Sequence, residues 1–162
     1  MFMTLRTFLF AGILSLLPIS ELRGAIPYAL THGMTIPVAY VYCVALNALV
    51  GPLLYGFLFS VHKLLSLMAW YRNVFGRLIE RARKKIHGRV EKFGYFGVMF
   101  FVAIPLPITG AYTGTLGAWV LGLEPKRTFL AVLGGVIISG IIVTLISYLG
   151  IEAFSFFIKR EI

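Results

Sequence analysis

Glu21 and Arg23 are the only charged side chains between Arg6 and Lys63. They stand two residues apart in the stretch SLLPISELRGAIPYALTHG, Ser15 to Gly33, amid apolar residues. An ionisable group at bilayer depth costs about 2.5–3.5 kcal/mol on insertion scales, and residues that costly usually mark a pathway. Two plainer readings compete: a hydrophilic loop outside the membrane, or an ion pair that only locks a turn. The loop needs a spanning limb before it, and Thr7–Leu17 has only 11 residues. The pair is therefore read as a site near the midplane. A fixed guanidinium favours an anion, phosphate most naturally. Glu21 opposes that charge, either holding Arg23 in place without substrate or taking up a proton during turnover. Burial favours its neutral form and Arg23 its ionised form, so its resting state stays open.

The stretch IPLPITGAYTGTLG, Ile104 to Gly117, supplies a second set of polar groups. Thr109, Tyr112, Thr113 and Thr115 offer hydroxyls, and Thr109 and Thr113 lie one helical turn apart. Ser20 is read as the cap of a helix starting at Glu21, and Thr109 as the cap of one starting at Gly110. Two helix N-termini with orphan N–H groups, facing each other beside Arg23, suit an anion. The expected substrate-binding set is Ser20, Glu21, Arg23, Thr109, Gly110, Tyr112 and Thr113, with Glu21 as the proton-coupling residue. Gly110 and Gly114 also form a small-x-x-x-small face for close helix approach. Asn47 reads as an interhelical hydrogen bond, and His32 and His62 as interfacial residues. No His, Cys or Glu grouping has metal-ligand spacing, no Ser–His or Cys–His pairing stands out, and no nucleotide-type glycine loop is present. The expectation is no metal, no cofactor and no enzymatic activity.

The elements that must hold these groups are membrane segments. The 162 residues are 59% hydrophobic and 13% charged, about half the usual charge of a soluble domain. Val38–Val61 and Thr128–Ile151 are uncharged runs of 24 residues, each about 36 Å as helix and long enough to span. Thr7–Leu17 reaches only about half-way before Pro18 breaks it. Arg6 and this run resemble a signal peptide, but no small-x-small cleavage site follows, so the segment is read as retained. Phe93–Leu123 is 31 residues without a charge, yet Pro105 and Pro107 interrupt its centre. Both broken regions read as re-entrant hairpins, whose irregular backbone survives only where protein or a wet cavity satisfies it.

The fold class is thus an all-α integral membrane protein, an inverted repeat of re-entrant hairpin plus transmembrane helix. The first unit is 1–69, with a hairpin over 7–32 and a span over 37–67. The second is 93–162, with a hairpin over 93–122 and a span over 127–152. Gly33–Gly51 and Gly122–Gly140 are matching 19-residue stretches, and Arg23–Ala25 sits where Thr109–Ala111 sits in the other half. Between the units, 70–92 has apolar residues at helical spacing and eight of the fifteen Lys and Arg. It reads as a basic amphipathic connector on the cytoplasmic face of the plasma membrane, against anionic lipid. Nucleic acid is not expected as a partner; membrane lipid is, and a homodimer is open to the chain. Cys43, the single cysteine, reads as a buried hydrophobe.

ELRGAIPYAL and PLPITGAYTGTLGAW, at this spacing, resemble the small multi-drug export protein family over roughly Leu14 to Leu149. That family is similar, distantly, to the DedA superfamily. The resemblance implies paired re-entrant hairpins, movement of polyprenyl-phosphate or phospholipid carriers, and coupling to protons or sodium. The second hairpin carries no Arg or acid, a departure from the DedA pattern. The leading expectation is translocation of an anionic, phosphate-bearing lipid or polyprenyl-phosphate carrier. The alternatives are proton-coupled export of small amphipathic drugs and a non-transporting membrane scaffold.

Overall fold

The computed structural model describes residues 5–65, 67, 94–106 and 109–159. Among these every regular element is helical: α1 Leu5–Leu16, α2 Glu21–Thr31, α3 Ile36–Ala48, α4 Val50–Leu65, α5 Gly94–Ala103, α6 Ala111–Val120 and α7 Pro125–Lys159. The connector expected over 70–92 lies outside the described residues.

Proline sets most of the boundaries. α1 stops just before Pro18 and α5 just before Pro105, as a ring without an N–H requires. Pro37 lies in the first turn of α3, where a missing N–H costs nothing. Pro52 has no N–H for the Ala48 carbonyl, and the helix is interrupted at Leu49, between α3 and α4.

Two stretches, Ile36–Val61 and Pro125–Ile151, are long and apolar enough to cross a membrane, with mean hydropathy 1.8 and 2.7. They contain the uncharged runs read from the sequence. The boundaries differ at the ends: the first helix stops at Leu65 rather than 67, and α7 begins at Pro125 and continues to Lys159, beyond 152. The two stretches run antiparallel. Tyr40 donates its hydroxyl to the Ile137 carbonyl (3.2 Å), Gly51 lies against Val132, and the Tyr55 hydroxyl donates to the Leu123 carbonyl (2.8 Å).

α1 and α2 pack on each other, and α2 lies against α3 and α7; α6 lies against α4 and α7. The seams are lined by small residues. Ala11, Ala25, Ala29, Ala39, Ala111 and Ala118 are fully buried, as expected where close backbone approach rather than water exclusion holds helices together. Gly114 belongs to this packing, since a Cβ there would strike Val102 of α5. Large side chains face outward instead: Leu5, Leu53, Phe57, Leu130 and Ile146 are exposed. So broad an apolar exterior is suited to lipid.

One local structure occurs twice. After α2, the Gly33 N–H donates to Leu30 and the Met34 N–H to Ala29, with Gly33 at φ 88°. After α6, the Gly122 N–H donates to Trp119 and the Leu123 N–H to Ala118, with Gly122 at φ 71°. Each is a Schellman cap, in which only a residue that tolerates positive φ closes the turn, followed by a buried hydrophobe. The two caps are 89 residues apart, as are the first residues of α3 and α7. This spacing pairs Glu21 with Gly110, three residues off the register suggested by the Arg23–Ala25 and Thr109–Ala111 likeness.

Candidate functional site

The turn between α1 and α2 meets the turn between α5 and α6, and the contact is made by charged side chains on backbone groups. Glu21 is 5% exposed. Its carboxylate accepts the Ala111 and Tyr112 N–H groups, both at 3.3 Å, and so caps the N-terminus of α6 from another helix. These are orphan donors at the positive end of a helix, where an anion belongs. Arg23 works in the opposite sense. Its Nη1 donates to the Leu106 carbonyl and its Nη2 to the Thr109 carbonyl at 2.9 Å. The Tyr112 hydroxyl donates back to Leu16 at the end of α1. The acid and the base thus hold the two turns together.

The backbone is shaped for this. Glu21 has φ +45°, the only non-glycine residue with positive φ among those described. Such a conformation costs on the order of 1–3 kcal/mol and persists only where surroundings enforce it. Gly110 has φ +153°, and a Cβ there would lie 2.6 Å from the carboxyl carbon of Glu21. Only glycine leaves room for the carboxylate.

A cavity of about 10 Å³ lies beside the pair, space for about one water. Glu21, Arg23, Thr109 and Gly110 line it, together with Asn47 and Ser139 from the two long helical stretches. Asn47 is 1% exposed and donates to the Ser15 carbonyl at 2.8 Å, the interhelical bond its sequence position suggests.

The sequence profile described as "putative small multi-drug export protein" matches residues 21–142. The chain belongs to this small multi-drug export protein family. No curated protein and no solved structure matches it. With its two candidate spans, family membership makes this a membrane protein of an export family. The match opens at Glu21, so the clasp lies within the part of the chain that the small multi-drug export profile covers.

Two local expectations for this small multi-drug export protein need correction. Ser20 does not cap α2: its backbone is already helical (φ −95°, ψ −49°), and its hydroxyl turns back to the Leu14 carbonyl. A capping side chain needs extended backbone at that position. Thr109 does not cap α6 either, because Gly110 is the N-cap. The Thr109 hydroxyl instead closes its own loop, accepting the Leu106 N–H at 3.0 Å within reach of the Ile104 carbonyl at 2.6 Å. Thr113 bonds back to the Gly110 carbonyl at 3.4 Å. Ser20, Tyr112 and Thr113 do not line the small cavity. Ser139 was missed; its only signal is a hydroxyl in the middle of an apolar run. His32 stacks on Tyr28, ring centroids 4.0 Å apart, near the end of α2.

Proposed function

We propose that this small multi-drug export family member translocates an anionic, phosphate-bearing lipid or polyprenyl-phosphate carrier, without covalent chemistry. In this reading the two helical turns are tips of re-entrant hairpins in inverted units, meeting near the midplane. The observation that carries it is the Glu21 carboxylate seated on the N-terminus of α6. A helix end that receives a carboxylate is equally suited to a phosphate. With room for about one water, the clasped arrangement has no place for a headgroup. Substrate phosphate therefore enters as the turns part, taking over the Ala111 and Tyr112 N–H groups and the Arg23 guanidinium. Glu21, displaced, takes up a proton and returns it when the clasp reforms.

The test uses full-length protein in proteoliposomes with a fluorescent polyprenyl phosphate. Parent protein is expected to move the probe at a pH-dependent rate. Glu21→Gln keeps shape and an acceptor, so movement should persist while its pH dependence flattens. A pH profile identical in both proteins would remove Glu21 from coupling, and no movement by the parent would remove the lipid substrate.

The family description favours a second reading, proton-coupled export of small amphipathic drugs. Glu21 would then alternate between proton and drug. Arg23 stands against a cationic drug, since a fixed cation two residues away repels it. Efflux of a cationic dye by the same vesicles, with no movement of the polyprenyl phosphate, would reverse the order of the two readings.

In the proposed inverted arrangement His32 and the basic 70–92 segment lie on opposite sides of the membrane, the basic segment on the cytoplasmic one. With Cys43→Ser as background, His32→Cys should react with an impermeant maleimide from outside intact cells, and Asn73→Cys only after lysis. Labelling of both from one side would contradict the topology.

A further inference from the structure

A second cavity lies away from the Glu21–Arg23 clasp, between α4, α6 and the first turns of α7. Its volume is about 340 Å³, within the range that holds small organic ligands. Pro52, Tyr55, Phe129 and Val132 give it an apolar wall, and Lys126 stands at its rim. Two further wall residues are Thr115 and Thr128, each 1% exposed. Their hydroxyls are buried and have no hydrogen-bond partner. That is unusual, because a helical hydroxyl can always turn to the carbonyl one turn back. Thr144, Ser15 and Ser60 do so here, at 2.7, 2.8 and 2.9 Å. Thr115 and Thr128 forgo that bond, in surroundings where an unsatisfied polar group is most costly. They come from different helices and converge on one space.

We infer that this cavity is a second binding site, for a small amphipathic anion with an apolar body. Its polar atoms would accept from Thr115 and Thr128, and its charge would pair with Lys126. The chemistry is that of a single-chain carboxylate. Arg127 is already engaged by Glu124 at 3.0 Å, which leaves Lys126 as the cation at the rim. The inference does not rest on the clasp, and the cavity shares no lining residue with the small one beside Glu21.

The orphan hydroxyls make the site separable from a structural role. Thr→Val is nearly isosteric, and removing a buried polar group that has no partner raises stability. The double variant Thr115→Val/Thr128→Val should therefore melt higher than the parent without ligand, yet bind more weakly. The probe is dodecanoate carrying a photoactivatable diazirine, added to full-length protein in nanodiscs, with labelled peptides mapped. Labelling is expected on the Gly51–Gly56 and Pro125–Val132 segments, at half-saturation raised about tenfold or more by the double variant and by Lys126→Gln. The alkyl ammonium of equal length should label these segments at least tenfold less well. Gly56→Leu, where an added Cβ meets nothing within 4 Å, narrows the cavity and should also reduce labelling. Labelling spread over exposed apolar side chains outside these segments, such as Leu9 and Ile146, and unchanged in the variants, would overturn the site. A double variant less stable than the parent would overturn the reading of the hydroxyls, and equal labelling by the ammonium probe would overturn the anion.

Discussion

Gly110→Ala is expected to unfasten the two turns and lower the stability of the whole protein. The added methyl would strike the carboxylate of Glu21, its carboxyl carbon at 2.6 Å and Oε1 at 2.7 Å. No small rotation avoids the collision, because Glu21 is 5% exposed and its backbone is held at φ +45°. The carboxylate must leave the α6 N-terminus, losing both N–H donors. Leaving a buried charge without its partners costs about 3–5 kcal/mol, and alanine at φ +153° adds strain. The expected result is a large drop in melting temperature in mild detergent, or failure to accumulate in the membrane. Gly117→Ala is the control: a Cβ there meets nothing within 4 Å, and alanine in a helix gains up to about 1 kcal/mol over glycine. A double-mutant cycle separates collision from strain. If the carboxylate is the obstacle, Gly110→Ala costs much less in a Glu21→Ala background. A Gly110→Ala protein as stable as the parent would show that Glu21 is not seated there.

Arg23→Ala is expected to destabilise the protein and, if the proposed function holds, to abolish transport with it, because the guanidinium that would meet the substrate also holds the two turns together. Two carbonyls, those of Leu106 and Thr109, take their charge-assisted donors from it. Each such bond is worth about 1.5–3 kcal/mol. Arg23→Lys keeps the charge but not the planar fork that reaches both carbonyls, so it should restore less than half of the lost stability. Thermal melts and vesicle transport measured on the same preparations check both effects. Undiminished transport by Arg23→Ala would remove the guanidinium from the site altogether.

The large features of this fold were legible because they are written in side-chain type. Pro18 and the Pro105–Pro107 pair announce breaks, and uncharged runs announce spans. The isolation of Glu21 and Arg23 in apolar sequence announced that they matter. Their partners could not be read, since both reach for backbone groups and every residue carries the same backbone. The role of Gly110 was half visible: its place beside the site could be read, but its positive φ and the carboxylate against it follow from tertiary contact. Ser20 and Thr109 show the opposite failure. Their residue types are right for caps, yet cap formation depends on φ and ψ, which tertiary contacts decided. The 340 Å³ cavity was invisible because Thr115, read as one of the hydroxyls beside Glu21 and Arg23, faces a different space, and Thr128 stands apart from it in sequence and looks ordinary in its own helix.

Glu21 and Gly110, 89 residues apart, occupy matching places before matching caps, and they touch. One place holds a carboxylate and its counterpart holds no side chain at all. Two copies of the first half could not assemble this way, since two acids would be driven into one another. Two copies of the second would leave a hole and two unmet helix ends. The halves are complementary rather than equivalent, like a plug and its socket. Each half is of use to the other only in a one-to-one ratio and in one orientation, and a single continuous chain guarantees both.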